Sequence, residues 1–140
     1  MSISFTSQEI AMPDINRSDI ADWIKRVIAH HGKRCGDVCY IFCNDERILE
    51  VNKEFLQHDY YTDIITFDYC TGNTMSGDIF ISLDTVLSNA QQVGEPYERE
   101  LRRVIIHGIL HLCGIDDKAE GARAVMEAEE NKALAKYPTL

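Results

Sequence analysis

The stretch His107-Gly108-Ile109-Leu110-His111-Leu112-Cys113-Gly114-Ile115-Asp116-Asp117 decides how the chain is read. Val104, Ile105, Ile106, Ile109, Leu110 and Leu112 make it apolar almost all round, which predicts a buried helix. Two histidines four residues apart on such a helix share a face, about one turn apart, so their ring nitrogens can meet at a single cation. The alternative is a pair of satisfied polar residues at a core edge, because buried imidazoles need partners of some kind. Gly114 can end the helix in a left-handed cap and turn the chain back, bringing Asp116 or Asp117 to the same point. Two nitrogens and one carboxylate leave a position for water, which distinguishes a catalytic site from a closed structural one. Gly108 stands where the H-E-x-x-H metalloproteases carry their general-base glutamate, so the peptide-hydrolysing signature is absent.

Upstream, Pro96 suits a first helical turn and opens the helix. Glu100 and Arg103 precede His107 on the same face. Leu83, Val86, Leu87, Ala90 and Val93 mark a helix closed by Gly94. Residues 64–69 and 78–82 read as strands that pair as a hairpin. Residues 38–43 form a short apolar run typical of a buried strand, and Asn44 caps a following helix with Ile48, Val51 and Phe55 inward. Residues 3–6 alternate as a first strand. Ser18 reads as the N-cap of an amphipathic helix carrying Ile20, Trp23, Ile24, Val27 and Ile28, with Gly32 beyond its end. His30 and His31 fall in its last turn and read as terminal polar residues. Residues 119–136 form a closing helix rich in alanine and glutamate. Strands interleaved with helices, some joined directly, predict an α+β or mixed α/β fold with a small sheet of about four strands.

The motif as it stands, His-Gly-x-Leu-His-Leu-x-Gly-x-Asp, resembles the signature of the YbeY family, bacterial metal-dependent endoribonucleases of rRNA maturation. The resemblance extends to Thr62-Asp63-Ile64-Ile65-Thr66-Phe67, to Gly77-Asp78-Ile79-Phe80-Ile81-Ser82, and to Met126 with Glu130, spanning about Asn52 to Leu134. It implies a single domain over residues 1–140, with the motif helix central and a metal at the end of a cleft. The family's third histidine aligns with Asp117, which makes His107, His111 and Asp117 the implied ligands and leaves Asp116 to orient one of them from behind. An aspartate in that place makes the site harder, keeping zinc plausible while favouring manganese, iron or nickel more than three imidazoles do. The family's arginine after its Asn-x-x-aromatic segment is replaced by Leu56, and Arg103 is the candidate to stand in for it. Glu100 is a candidate general base on geometry alone. His58 and Tyr60, in the loop before residue 64, are candidate substrate contacts, with Tyr61 and Tyr69 as further stacking surfaces. The implied partners are single-stranded RNA, rRNA above all at the 3′ end of the small-subunit molecule, and the small ribosomal subunit, in a role that extends to ribosome quality control. Two other readings use the same ligands: a hydrolase of peptides or small molecules, and a non-catalytic ribosome-associated module that uses the metal structurally.

At 140 residues and 45% hydrophobic, the chain can bury one real core and is short for two. It has neither a membrane-length apolar run nor a signal-peptide layout, which points to a cytoplasmic protein without a membrane partner. Five cysteines without a C-x-x-C pair agree, and Cys39, Cys43 and Cys113 read as packed thiols. The net charge of -9 opposes a general affinity for phosphate backbones. Two basic clusters, Lys25/Arg26/Lys33/Arg34 and Arg99/Arg102/Arg103, are either solvated helix faces or the makings of a local groove.

Overall fold

The computed structural model describes residues 2–56 and 62–137. Nine elements follow in the described chain: β1 (Ile3–Ser7), α1 (Arg17–His30), β2 (Arg34–Cys43), α2 (Asp45–Leu56), β3 (Ile64–Asp68), β4 (Thr74–Ser82), α3 (Leu83–Val93), α4 (Tyr97–Leu112) and α5 (Ala122–Ala135). The sheet order is β1-β2-β4-β3. β1, β2 and β4 run parallel, and β3 turns back against β4, so the architecture is mixed α/β.

Parallel strands covered on both faces read as continuous apolar runs, and Tyr40, Ile41, Phe42 and Cys43 of β2 are all buried. On one face α1 and α4 pack Trp23, Ile24, Ile28, Ile105 and Ile109 over Tyr40, Phe42, Ile79 and Ile81. On the other, Ile48 and Val51 of α2 meet Cys43 and Ile65. Two buried polar groups tie the helices in place. The Tyr40 hydroxyl donates to the Ile105 carbonyl at 2.8 Å, and the Trp23 indole N–H donates to the Ala133 carbonyl at 2.8 Å. The second bond fixes α5 against α1 and sets which residues α5 turns toward α4.

Several sequence expectations shift. Asn16, not Ser18, caps α1, its side chain accepting from the Asp19 N–H at 3.0 Å. Asn44 does cap α2, accepting from the Arg47 N–H at 2.9 Å. Phe55, expected inward, is exposed, and its ring meets that of Phe67 edge to face with centroids 5.8 Å apart. Asn52 is buried instead. Leu87 and Val93 are also exposed on α3. β2 begins at Arg34 and β4 at Thr74, both earlier than their apolar runs, because the two pair with each other there. α5 begins at Ala122, after Gly121 at φ 79°, so residues 119–121 belong to the preceding turn.

Candidate active site

The helix carrying the histidines is positioned by a glycine that the chemistry might otherwise claim. Gly108 is buried, and a Cβ there would lie 3.1 Å from the Cδ1 atoms of Ile64 and Ile79, so glycine lets α4 approach β3 and β4 closely at this point. A longer side chain at 108 would have to push those isoleucines aside.

The end of α4 follows from Gly114. Its φ of 97° is left-handed; its N–H donates to the His111 carbonyl at 2.9 Å, and the Ile115 N–H reaches the Leu110 carbonyl at 3.0 Å. This is the Schellman arrangement, and it reverses the chain directly after the second histidine. The Asp116 carboxylate then accepts from the N–H groups of Asp117, Lys118 and Ala119 at 2.8, 3.0 and 3.3 Å. These bonds, the Lys118 amide foremost, hold its carboxyl below the usual range. Asp116 thus orients Asp117 through the backbone and is not hydrogen-bonded to a histidine ring in the described structure.

Asp117 is carried back over the helix. Its Oδ2 lies 3.4 Å from His107 Nε2 and 3.5 Å from His111 Nε2. The rings of His107 and His111 stand edge to face with centroids 4.7 Å apart. One donor atom from each of the three residues lies within 4.8 Å of the others. Tetrahedral bonds of roughly 2.0–2.1 Å place donor atoms roughly 3.3–3.4 Å apart, so the two nitrogen-to-oxygen separations suit one small divalent cation. His107 Nδ1 lies 2.6 Å from Glu130 Oε2. A carboxylate only accepts, so this network assigns the ring proton to Nδ1 and leaves the Nε2 lone pair turned toward Asp117. Burial, and then the neighbouring His107, lowers the pKa of His111, which favours the neutral ring that a metal requires.

Arg103 and Glu100 have a different setting from the one expected. The Arg103 guanidinium donates from Nε to Glu100 Oε1 at 2.9 Å and from a second nitrogen to Glu100 Oε2. Its remaining terminal nitrogen reaches Glu130 Oε1 at 3.3 Å. Both carboxylates are buried, and the Glu100 hydrogen bonds above all raise the arginine pKa. Both oxygens of Glu100 accept from the Arg103 guanidinium, which ties the two side chains together. Arg103 is thus spread over two carboxylates, with a third of its side chain exposed at the cleft. In the rest of the basic cluster, Arg99 forms an exposed ion pair with Glu95 at 3.7 Å and Arg102 lies over the Tyr137 ring at 4.7 Å. Lys25, Arg26, Lys33 and Arg34 are not among the residues lining the cleft.

That cleft encloses about 960 Å³ and contains His107, His111 and Asp117. β3 supplies one wall, through Ile64, Thr66 and Asp68, and α5 the opposite one, through Met126 and Glu130. Leu56, at the position where the resemblance expects arginine, also lines it. His58, Tyr60 and Tyr61 lie outside the described residues, and Tyr69 is exposed but not part of the cleft wall. Sequence reasoning gave Glu130 no role. A signal existed: with Met126, Ala133 and Leu134 it falls on the buried stripe of α5, and an acidic residue on a buried stripe needs a partner.

Fold and cleft together define a mixed α/β protein with a water-accessible site of two imidazoles and one carboxylate. Comparison with known proteins gives this class its family. The family model described as Endoribonuclease YbeY matches residues 3–138, and the chain belongs to that family. Endoribonuclease YbeY of Phocaeicola vulgatus is 65% identical over 133 residues, covering 95% of this chain and 96% of that protein. The Bacteroides thetaiotaomicron protein of the same name is 61% identical over 135 residues, covering 96% and 98%. The solution structure of TM1509 from Thermotoga maritima shares the fold with a TM-score of 0.68 at 24% identity, over 96% of this chain and 88% of that one.

Proposed function

We propose that the protein is a metal-dependent endoribonuclease that hydrolyses single-stranded RNA, with His107, His111 and Asp117 holding the cation. The observation that carries the reading is the convergence of those three donors within 4.8 Å at an open cleft. Family membership supplies the reaction class. Zinc suits two imidazoles and a carboxylate, with manganese, iron and nickel as the competing ions. Such a cation, when bound, contributes positive charge for a phosphodiester oxygen and acidity for a water in the open position.

The chain's own groups prepare the site. Glu130 keeps the proton of His107 on Nδ1 and fixes the ring plane. Arg103 is a positioning residue: by holding Glu100 and Glu130 it fixes the carboxylate on which His107 depends. Asp116 sets the turn that delivers Asp117. Glu100, tied to Arg103, supports this network and does not serve as base. His58 and Tyr60 remain proposed substrate contacts by position in the sequence. The acceptor of the water's proton is left to Asp117 or to solvent.

The resemblance set out above supports a substrate in rRNA maturation and ribosome quality control, on or near the small subunit in the cytoplasm. Among the described residues no helix is long and apolar enough to cross a membrane. The test is cleavage of matched single- and double-stranded RNA by protein stripped with chelator and reloaded with single metals, beside His111→Ala. Cleavage of the single strand, restored by metal and absent from His111→Ala, is expected. Metal-independent cleavage, or none on any RNA with peptide cleavage instead, overturns the reading.

A further inference from the structure

β3 is the outermost strand of the sheet, and its hydrogen-bond phase can be read from its two ends. The Ser82 N–H donates to the Asp63 carbonyl at 2.9 Å, and the Tyr69 N–H donates to the Ser76 carbonyl at 2.9 Å. In an antiparallel ladder alternate residues exchange bonds with the partner strand while those between turn both backbone groups outward. With Ile65 opposite Phe80 and Phe67 opposite Asp78, the bonded residues are 63, 65, 67 and 69. Ile64, Thr66 and Asp68 therefore direct N–H and C=O away from β4, at an edge that no other strand covers among the described residues.

These three residues line the cleft of the metal site. The Ile64 carbonyl receives the Thr62 hydroxyl at 3.4 Å, and the exposed Asp68 closes the strand with its carboxylate on the Cys70 N–H. Among the described residues Thr66 alone of the three has both backbone groups unpartnered in the middle of the strand. It also sits level with the site: its pair partner Ile79 packs on Gly108, one residue after His107, and Gly77, opposite Asp68, faces Leu112, one residue after His111.

We propose that the outward N–H and C=O of Thr66 read the Watson–Crick edge of one unpaired base lying within two nucleotides of the bond that is cut. This rests on the endoribonuclease reading and names how the same cleft chooses its strand. Every base offers a neighbouring donor and acceptor on that edge, and in a duplex both are occupied by the complementary base, so a site of this kind admits single strands only. The order of donor and acceptor distinguishes adenine and cytosine from guanine, because a fixed N–H and C=O satisfy one order at a given strand direction, while uracil, with an acceptor on each side of its N–H, satisfies either. Backbone groups also suit base readout here because they need no side-chain cation, and Arg103 beside the metal site is held by Glu100 and Glu130. Leu56, 41% exposed in the same cleft, offers apolar surface to the ring.

The experiment uses metal-reloaded full-length protein and single-stranded RNA oligonucleotides varied one position at a time, read both as cleavage rate and as binding by fluorescence anisotropy. At one position near the cut the four bases are expected to fall into two groups, adenine and cytosine together and guanine apart, with uracil in whichever group is favoured, separated by about tenfold or more. Thr66→Ala, which retains both backbone groups, keeps the split. Thr66→Pro, which deletes only an outward N–H on an edge strand, collapses it. Should Thr66→Pro fail to fold, purine riboside in place of adenosine, which removes the amino donor, gives the same collapse with the unaltered protein. Equal use of all four bases, or a split by ring size, overturns the proposal. RNA that binds with the two-group pattern but is never cut overturns the endoribonuclease reading and leaves this one standing.

Discussion

His107 Nδ1 and Glu130 Oε2 stand 2.6 Å apart, a contact between the motif helix and the last helix that fixes which nitrogen of the ring is left for a metal. The bond joins residues far apart in sequence, and it makes α5 part of the site.

Removing the carboxylate tests that dependence. Glu130→Ala is expected to weaken metal affinity about 10- to 100-fold, the usual effect of losing a ligand's hydrogen-bond partner, while Glu130→Gln, whose amide oxygen can still accept from Nδ1, loses less. Competition against a chromophoric chelator measures both. Equal affinity in the alanine variant shows that Glu130 serves packing alone.

Arg103→Ala separates a positioning role from a substrate contact. It strands the buried Glu100 and Glu130, which costs about 2–3 kcal/mol of stability, less than a fully buried pair would because the arginine is itself a third exposed. Urea unfolding should show this loss. An unchanged midpoint with lost RNA cleavage instead assigns Arg103 to the phosphate.

The pH dependence of the metal-free protein follows from His111. Burial lowers its pKa in the folded state below about 6.5, so the unfolded chain binds the proton more readily. The associated stability is complete above about pH 6.5 and declines as pH falls toward the folded value. Melting temperature is expected to drop between about pH 7.5 and 5.5, with a shallower slope in His111→Asn. His31, whose pKa burial also lowers, leaves part of the slope in place. Identical slopes in the two proteins contradict the account.

Gly108→Glu recreates the peptidase spelling of the motif and is expected to unfold the protein, at a cost of at least about 3 kcal/mol, from overpacking and a buried charge. Circular dichroism melts decide this; a stable variant would mean that α4 can retreat from β3.

What the sequence made legible was local. The four-residue histidine spacing, the left-handed Gly114 and the return of Asp117 all lie within eleven residues, and the Schellman bonds that enforce them are backbone bonds of that same stretch. The β3–β4 hairpin was equally readable. The sheet order, with β4 between β2 and β3, depends on contacts distant in sequence, and so does the commitment of Arg103 to Glu130 across two helices. Phe55 is exposed and Asn52 buried on α2, an arrangement set by which side of the helix's last turns meets its neighbours and not by apolar periodicity alone.

The central claim is tested most directly by diffraction from crystals soaked in zinc or manganese, with data on both sides of the metal's absorption edge. The account predicts one anomalous peak within bonding distance of His107 Nε2, His111 Nε2 and an Asp117 oxygen. A peak elsewhere, or one held by the histidines while Asp117 turns away, contradicts it.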